Sequence, residues 1–262
     1  MALAAVGQFC ATASVEANLS CVKVLIDKAI RANTAVLFLP EASDYIGTPQ
    51  GSGFVEGLCS YLSEKASSLF VSVGVHEIHN DNNKSKNSLL WITPDGHVAN
   101  RYTKLHLFDA VGLKESDRTI AGSEVVKPFD SPIGVIGPAI CYDMRFPELA
   151  LRLRRLGAEI ITFPSAFTLR TGADHWETLI RARAIDTQCY IMAAALTGRH
   201  NEKRESWGHS MIVDPWGTVI AQCPNTSDPC IAIADINLEY LHQIRYRMPL
   251  WDQRRTDIFG EI

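Results

Sequence analysis

The sequence predicts an α/β fold arranged as a four-layer α-β-β-α sandwich, on three observations. Short apolar runs bounded by Pro, Gly or charged residues alternate with stretches whose apolar residues recur at helical spacing. One order of elements, strand-helix-strand-helix-strand-hairpin, occurs twice along the chain. No low-complexity linker separates the two runs, so residues 1–262 read as a single domain with pseudo-twofold internal symmetry.

Each element has a local reason. Leu3–Phe9 and Ala35–Leu39 are bounded apolar strands, the second stopped by Pro40. Between them Val15, Leu19, Val22, Leu25, Ile26 and Ala29 predict a helix over Val15–Arg31. Phe54–Lys65 reads as a helix and Leu69–Val75 as a strand. Ser88–Thr93 and Val98–Thr103 form a hairpin across Pro94-Asp95-Gly96. The second run reads Ile133–Cys141 strand, Phe146–Leu156 helix, Glu159–Phe163 strand, Ala173–Thr187 helix and Tyr190–Leu196 strand. His209–Asp214 and Thr218–Gln222 then form a hairpin, before a strand Cys230–Asp235 and a short helix Leu238–Tyr246. Each half needs helices on one face of its sheet and something apolar on the other, which stacking the sheets supplies. A three-layer doubly wound sheet stays open at this level.

Composition excludes several function classes. The chain of 262 residues is 47% hydrophobic and 21% charged, too apolar for a disordered chain. Lys plus Arg is 25 and Asp plus Glu 29, a net charge of −4 with no basic domain, so no nucleic-acid partner is expected. No apolar run approaches the ~20 residues of a membrane span. No Lys or Arg precedes Lys23, so a charged secretory leader is not expected. Seven scattered cysteines suit reduced thiols, hence a cytoplasmic location.

Cys141 is the most informative residue. It ends an apolar run and precedes Tyr-Asp-Met-Arg-Phe-Pro147, with Pro147 suited to the first turn of a helix. A thiol there is displayed at the carboxyl edge of a sheet, where α/β proteins place ligands. The other six cysteines read as small buried hydrophobes. Glu41 follows the strand ending at Pro40, where partial burial is expected to raise its pKa and fit it as a base. Lys104 follows the hairpin strand ending at Thr103. A carboxylate, an ammonium and a thiol thus follow three separate strands.

The blocks FLPEASDY, YTKLHLF and ICYDMRFPELA resemble, in content and order, the three signature blocks of the nitrilase superfamily. The similarity continues through FPSAFTLRTGADHWETLIRARAIDTQCYIMAAA and GRHNEKRESWGHSMIVDPWGTVIA to RRTDIFG, and these later blocks resemble the deaminated glutathione amidase branch. The resemblance implies the four-layer sandwich, with Glu41 as general base, Lys104 as oxyanion stabiliser and Cys141 as nucleophile. Glu115 matches a second glutamate of the family. The backbone N–H of Tyr142 would help hold the oxyanion, and Arg145, Thr168 and Arg170 are candidates for binding substrate carboxylate and keto groups. The implied reaction cleaves the amide of deaminated glutathione to 2-oxoglutarate and cysteinylglycine through a thioester, with no cofactor and no metal. The alternatives are an ω-amidase acting on α-ketoglutaramate or a related dicarboxylate monoamide, and a non-catalytic interaction protein on the same fold. The resemblance also implies a homodimer or larger homo-oligomer, to which the tail Leu250–Ile262 adds apolar residues.

Other signals are set aside. His76-Glu-Ile-His79 is not H-E-x-x-H and, lying past the strand end before Asn-Asp-Asn-Asn, reads as a solvated loop. Cys223 and Cys230 lack metal-ligand spacing. Arg152, Arg154 and Arg155 read as the solvated face of a helix, and Trp176 as core.

Overall fold

The computed structural model describes residues 2–79, 84–110 and 113–260. Its first half runs β1 (Ala2–Phe9), α1 (Val15–Arg31), β2 (Val36–Phe38), α2 (Phe54–Glu64), β3 (Phe70–His79), β4 (Lys84–Ile92) and β5 (Val98–Thr103). The connection carries short strands β6 (Asp109–Ala110), β7 (Leu113–Lys114) and β8 (Thr119–Ile120). The second half runs β9 (Ile136–Gly137), α3 (Pro147–Arg155), β10 (Ile160–Thr162), α4 (Leu169–Thr187), β11 (Tyr190–Ala193), β12 (Ala195–Arg199), β13 (Glu205–Trp207), β14 (Met211–Val213) and β15 (Val219–Gln222). It closes with β16 (Cys230–Ile236), α5 (Leu238–Arg247) and α6 (Thr256–Phe259).

The two halves share one topology. In the first sheet β1, β2 and β3 are parallel and β4 and β5 antiparallel, in that spatial order. In the second, β9, β10 and β11 are parallel, followed by antiparallel β14 and β15. Side chains alternate faces along a strand, and that period divides the core in three. Leu37, Val71, Val73 and Val75 pack under α1 and α2. Ile161, Ile191 and Val213 pack under α3 and α4. Val6, Val36, Phe38 and Trp91 of the first sheet meet Ile136, Ile160, Met192 and Ile212 of the second. That middle layer makes the four-layer sandwich.

Local chemistry sets several boundaries. Ser14 caps α1, its hydroxyl accepting from the Ala17 N–H at 3.2 Å, and Pro147 opens α3. Three expectations need correction. The run Tyr190–Leu196 is not one strand: β11 pairs β10 in the second sheet, and after Ala194 β12 pairs β1 in the first. Ser210 pins the crossing, its hydroxyl donating to the Gly7 carbonyl at 3.0 Å and accepting from the Ala195 N–H at 2.7 Å. Helix α4 begins at Leu169, before the expected Ala173, because Thr168 is already extended and ends the preceding segment. Third, Ile133–Cys141 is mostly irregular, with only Ile136–Gly137 pairing as a strand before Pro138, which cannot donate to a ladder.

Gly74 fixes how closely β3 approaches the segment after β2. A Cβ there would lie 2.5 Å from the Glu41 Cα and 2.8 Å from the Pro40 carbonyl oxygen. Gly74→Ala should therefore lower stability by about 1–3 kcal/mol, read as the urea unfolding midpoint, because only backbone is available to yield. A variant as stable as the wild type would show that the Pro40–Glu41 segment is free to shift.

Candidate active site

Beyond the apolar middle layer, one edge of the sandwich turns polar. The register places His76 of β3 opposite Asn87 of β4, and the Lys104 N–H donates to the Asn87 carbonyl at 2.9 Å. Directly opposed residues share a face, so these three side chains form a row that continues the inward face carrying Leu89 and Trp91. Lys104, 2% exposed, donates from Nζ to Glu41 Oε1 at 2.8 Å and to Glu115 Oε2 at 2.9 Å. Asn87 Nδ2 donates to the same two carboxylates, at 2.7 Å to Glu41 Oε1 and 3.0 Å to Glu115 Oε1. The Phe108 N–H donates to Glu115 Oε2 at 2.7 Å.

Cys141 reaches this row from the second sheet. Its thiol and the Glu41 carboxylate each shift the other's ionisation, and its backbone N–H donates to the Pro164 carbonyl at 3.0 Å. Cys141 does not sit in a strand; it opens a 3-10 turn, Cys141–Arg145, with φ of 44°. A non-glycine residue in the left-handed region is strained and persists only where its surroundings over-determine it. Asp143 provides that restraint. Buried at 1% exposure, it accepts from the Tyr102 hydroxyl at 2.6 Å, the Ile140 N–H at 3.0 Å, and the His106 N–H and Nδ1 at 2.9 and 2.8 Å. Tyr102 and His106 flank Lys104 by two residues on either side, so one carboxylate ties the cysteine turn to the lysine segment.

The electrostatics correct one expectation. Burial alone would raise the Glu41 pKa, but the Lys104 charge and the hydrogen bonds from Lys104, Cys141 and Asn87 outweigh it and lower the value. Glu41 is thus a carboxylate at neutral pH. Burial, with the Glu41 charge beside it, pushes the Cys141 thiol up to about 12, so the proton rests on sulfur. Burial opposes the Lys104 charge, yet Glu41, Cys141 and Glu115 raise its pKa and keep it an ammonium. The arrangement holds a protonated thiol against an ionised carboxylate, with a fixed cation beside the carboxylate.

The cluster opens into a cavity of about 700 Å³. Tyr142, Arg145 and Thr168 line it, as do Arg118, Lys203 and Arg204, which sequence reading missed. Arg145 lies over the Phe167 ring at 5.4 Å and the Tyr142 ring at 5.9 Å. Arg170 is not a lining residue: it is exposed in the first turn of α4, because that helix starts early. His76 also departs from expectation, being partly buried within β3 rather than solvated. Asn87 was likewise missed, although counting two residues outward from Leu89 on the inward face finds it. Away from the cavity, Arg154 is partly buried with its guanidinium 5.2 Å from the Trp251 ring, so it is no solvated helix charge. Cys189 and Cys223 are buried as expected, whereas Cys10, Cys21, Cys59 and Cys230 are partly exposed. Trp176 is core, and Ile262 lies outside the described residues.

Asp143→Asn should cost about 2–4 kcal/mol in urea unfolding, since an amide nitrogen would then face donors that Asp143 accepts. Burial is the main reason the proton stays on sulfur, and Glu41→Gln removes the charge that adds to it, so the thiol pKa should fall. Alkylation of Cys141 by iodoacetamide at pH 8, followed on its peptide by mass spectrometry, should then speed up several-fold. Slower alkylation would reverse that sign.

The sequence profile described as carbon-nitrogen hydrolase matches residues 3–246. The chain is 45% identical over 280 residues to "Probable hydrolase nit2" of Schizosaccharomyces pombe, covering 100% of both chains. It is 42% identical to the deaminated glutathione amidase of Homo sapiens, covering 99% of this chain and 84% of that one. Against the nitrilase and fragile histidine triad fusion protein NitFhit of Caenorhabditis elegans it is 43% identical over 97% of its length, but spans only 61% of that longer protein. The NitFhit crystal structure superposes with a TM-score of 0.92, covering 98% of this chain and 66% of that chain at 41% identity. With the profile match spanning nearly its whole length, this chain belongs to the carbon–nitrogen hydrolase family of the nitrilase superfamily.

Proposed function

We propose that the chain, as one carbon–nitrogen hydrolase domain, is an amidase that hydrolyses deaminated glutathione to 2-oxoglutarate and cysteinylglycine, a metabolite-repair reaction. The observation that carries this reading is the buried Lys104–Glu41 pair, electrostatically coupled to the Cys141 thiol and lining with it a cavity that bears several cations. Relatives named deaminated glutathione amidase, 36–43% identical over 96–99% of this chain, support the substrate.

The mechanism follows from the protonation states. As the Cys141 sulfur attacks the amide carbon, Glu41 takes the thiol proton. The carbonyl oxygen becomes an oxyanion, held by the Lys104 ammonium and the Tyr142 backbone N–H; one such donor is typically worth about 3–4 kcal/mol. Collapse breaks the C–N bond, Glu41 gives its proton to the departing amine, and the acyl group remains as a thioester on Cys141. Water, losing a proton to Glu41, attacks that thioester; collapse releases the carboxylic acid and the thiol regains its proton. Glu115 and Asn87 keep the Lys104 ammonium aimed at the reacting oxygen, and Glu115 shares its charge. Arg145 and Thr168 contribute to binding the substrate's carboxylate and keto groups.

Free thiols at all seven cysteines fit a cytoplasmic setting. Exposed Ile258 and Phe259, at 61% and 82%, fit a tail that packs, with Tyr246 of α5 (88% exposed), on a second copy in a homo-oligomer. Sedimentation should then show a dimer or larger species, and a monomer at all concentrations would remove that part of the proposal.

Purified protein should hydrolyse deaminated glutathione with a higher kcat/KM than α-ketoglutaramate or a simple nitrile. The reverse order would make it an ω-amidase, and no hydrolysis of any amide with Cys141 reduced would remove the enzymatic reading. Glu41→Gln should lower kcat about 10²–10⁴-fold. Because the Glu41 pKa is lowered, its proton-accepting form survives into acid; the acidic limb of kcat/KM should fall below the ordinary glutamate value of about 4.3.

A further inference from the structure

His76 sits in the same row as Asn87 and Lys104 and lines the same cavity, yet the mechanism above gives it no work. Its surroundings fix it tightly. Asp44, with its side chain 7% exposed, grips the residue twice: Oδ2 accepts the His76 backbone N–H at 2.7 Å and Oδ1 lies 2.9 Å from Nδ1. Tyr45 stacks on the imidazole with ring centroids 4.4 Å apart and planes 29° from parallel. Asp44 is itself held, its oxygen Oδ1 accepting the Tyr45 N–H at 2.9 Å and its carbonyl accepting from Asn18 Nδ2 at 2.9 Å. A carboxylate on Nδ1 fixes the tautomer and favours the imidazolium. No described residue hydrogen-bonds Nε2. The ring is thus clamped at one nitrogen and open at the other, on the inward face of the site.

Charge at the floor of the cavity says what the open nitrogen is for. Asp44, Glu41 and Glu115 bring three carboxylates to bear on the ring, with the Lys104 ammonium bonded to two of them. An anionic group entering beside these carboxylates gains from a cation that meets it there. Deaminated glutathione carries a carboxylate at each end, one on the acyl side of the scissile amide and one on the peptide side. Resting on the amidase reading above, we propose that His76, oriented by Asp44 and Tyr45, is a specificity-determining residue that receives one substrate carboxylate at Nε2–H. The Arg145, Lys203 and Arg204 side of the cavity remains for the other. Burial works against the imidazolium, but Asp44, then Glu41 and Glu115, outweigh it and raise the His76 pKa, in keeping with a charged donor.

The test compares KM and kcat for deaminated glutathione and two analogues, one with its acyl-end carboxylate and one with its glycine carboxylate converted to the primary amide. His76→Gln should raise KM for deaminated glutathione about 10- to 100-fold, the scale of one charge-assisted hydrogen bond, with kcat changed less than about threefold. One analogue should be insensitive to the substitution, and that analogue identifies the carboxylate His76 receives. Asp44→Asn should reproduce the same selective rise in smaller measure. Should His76→Gln not fold, His76→Asn, which retains a donor for Asp44 but lacks the reach of Nε2, carries the same comparison. Unchanged KM, or an equal loss on the substrate and both analogues, overturns the assignment. A wild-type protein that cleaves none of the three amides overturns instead the amidase reading, a result seen before any variant is made.

Discussion

Burying the ammonium of Lys104 is the constraint around which the site is built. A lone buried charge costs several kcal/mol, and such groups persist only when paired and hydrogen-bonded. Glu41 and Glu115 supply the countercharge, and Asn87 spans both carboxylates from the next strand. The pairing works in both directions, because the lysine that needs the carboxylates also keeps Glu41 ionised against its own burial. With Glu41 charged beside it, the Cys141 sulfur retains its proton. A thiolate is therefore not stored at rest, and the mechanism proposed above has the proton pass to Glu41 as the sulfur reacts. Gly74, which admits the Glu41 backbone, and Asp143, which joins the cysteine turn to the lysine segment, both serve this arrangement.

The pseudo-twofold architecture explains why so few residues are needed. Two sheets with the same strand order stack through an apolar layer, and at one edge that layer gives way to polar side chains. The first sheet brings Glu41 and Lys104, and the second brings Cys141. The halves match in structure without matching in chemistry. Pro40-Glu41-Ala42 follows the second strand of the first sheet, and Pro164-Ser165-Ala166 follows the second strand of the other. Ser165, fully buried, spends its hydroxyl on the Phe163 carbonyl at 2.9 Å. Of these two equivalent turns, only the one in the first half carries an acid.

Helices α1 and α2 and the β5 strand were legible in the sequence to within a residue, since each follows from a period that its own side chains carry. Glu41 and Cys141 were legible because each ends an apolar run, Lys104 because it follows a hairpin strand, and Glu115 through its resemblance to a family position. His76 was not. It reads as a solvated residue before a polar run, and only pairing with β4 shows that β3 continues through it on the inward face. Arg170 failed for the opposite reason, since one additional turn of α4 moves it out of the cavity's lining.

Sequence alone thus determined the order of most elements, the α/β class of the fold and the residue types that follow the strands, because these depend on local periodicity and on where it stops. Tertiary structure decided the rest: the passage of the chain between sheets at Ala194, the row joining His76, Asn87 and Lys104, and the ionisation of Glu41. Each of these depends on groups far apart in the chain whose distance only packing sets. Coulomb energy and desolvation respond to that distance, and no pattern of neighbours along the sequence encodes it.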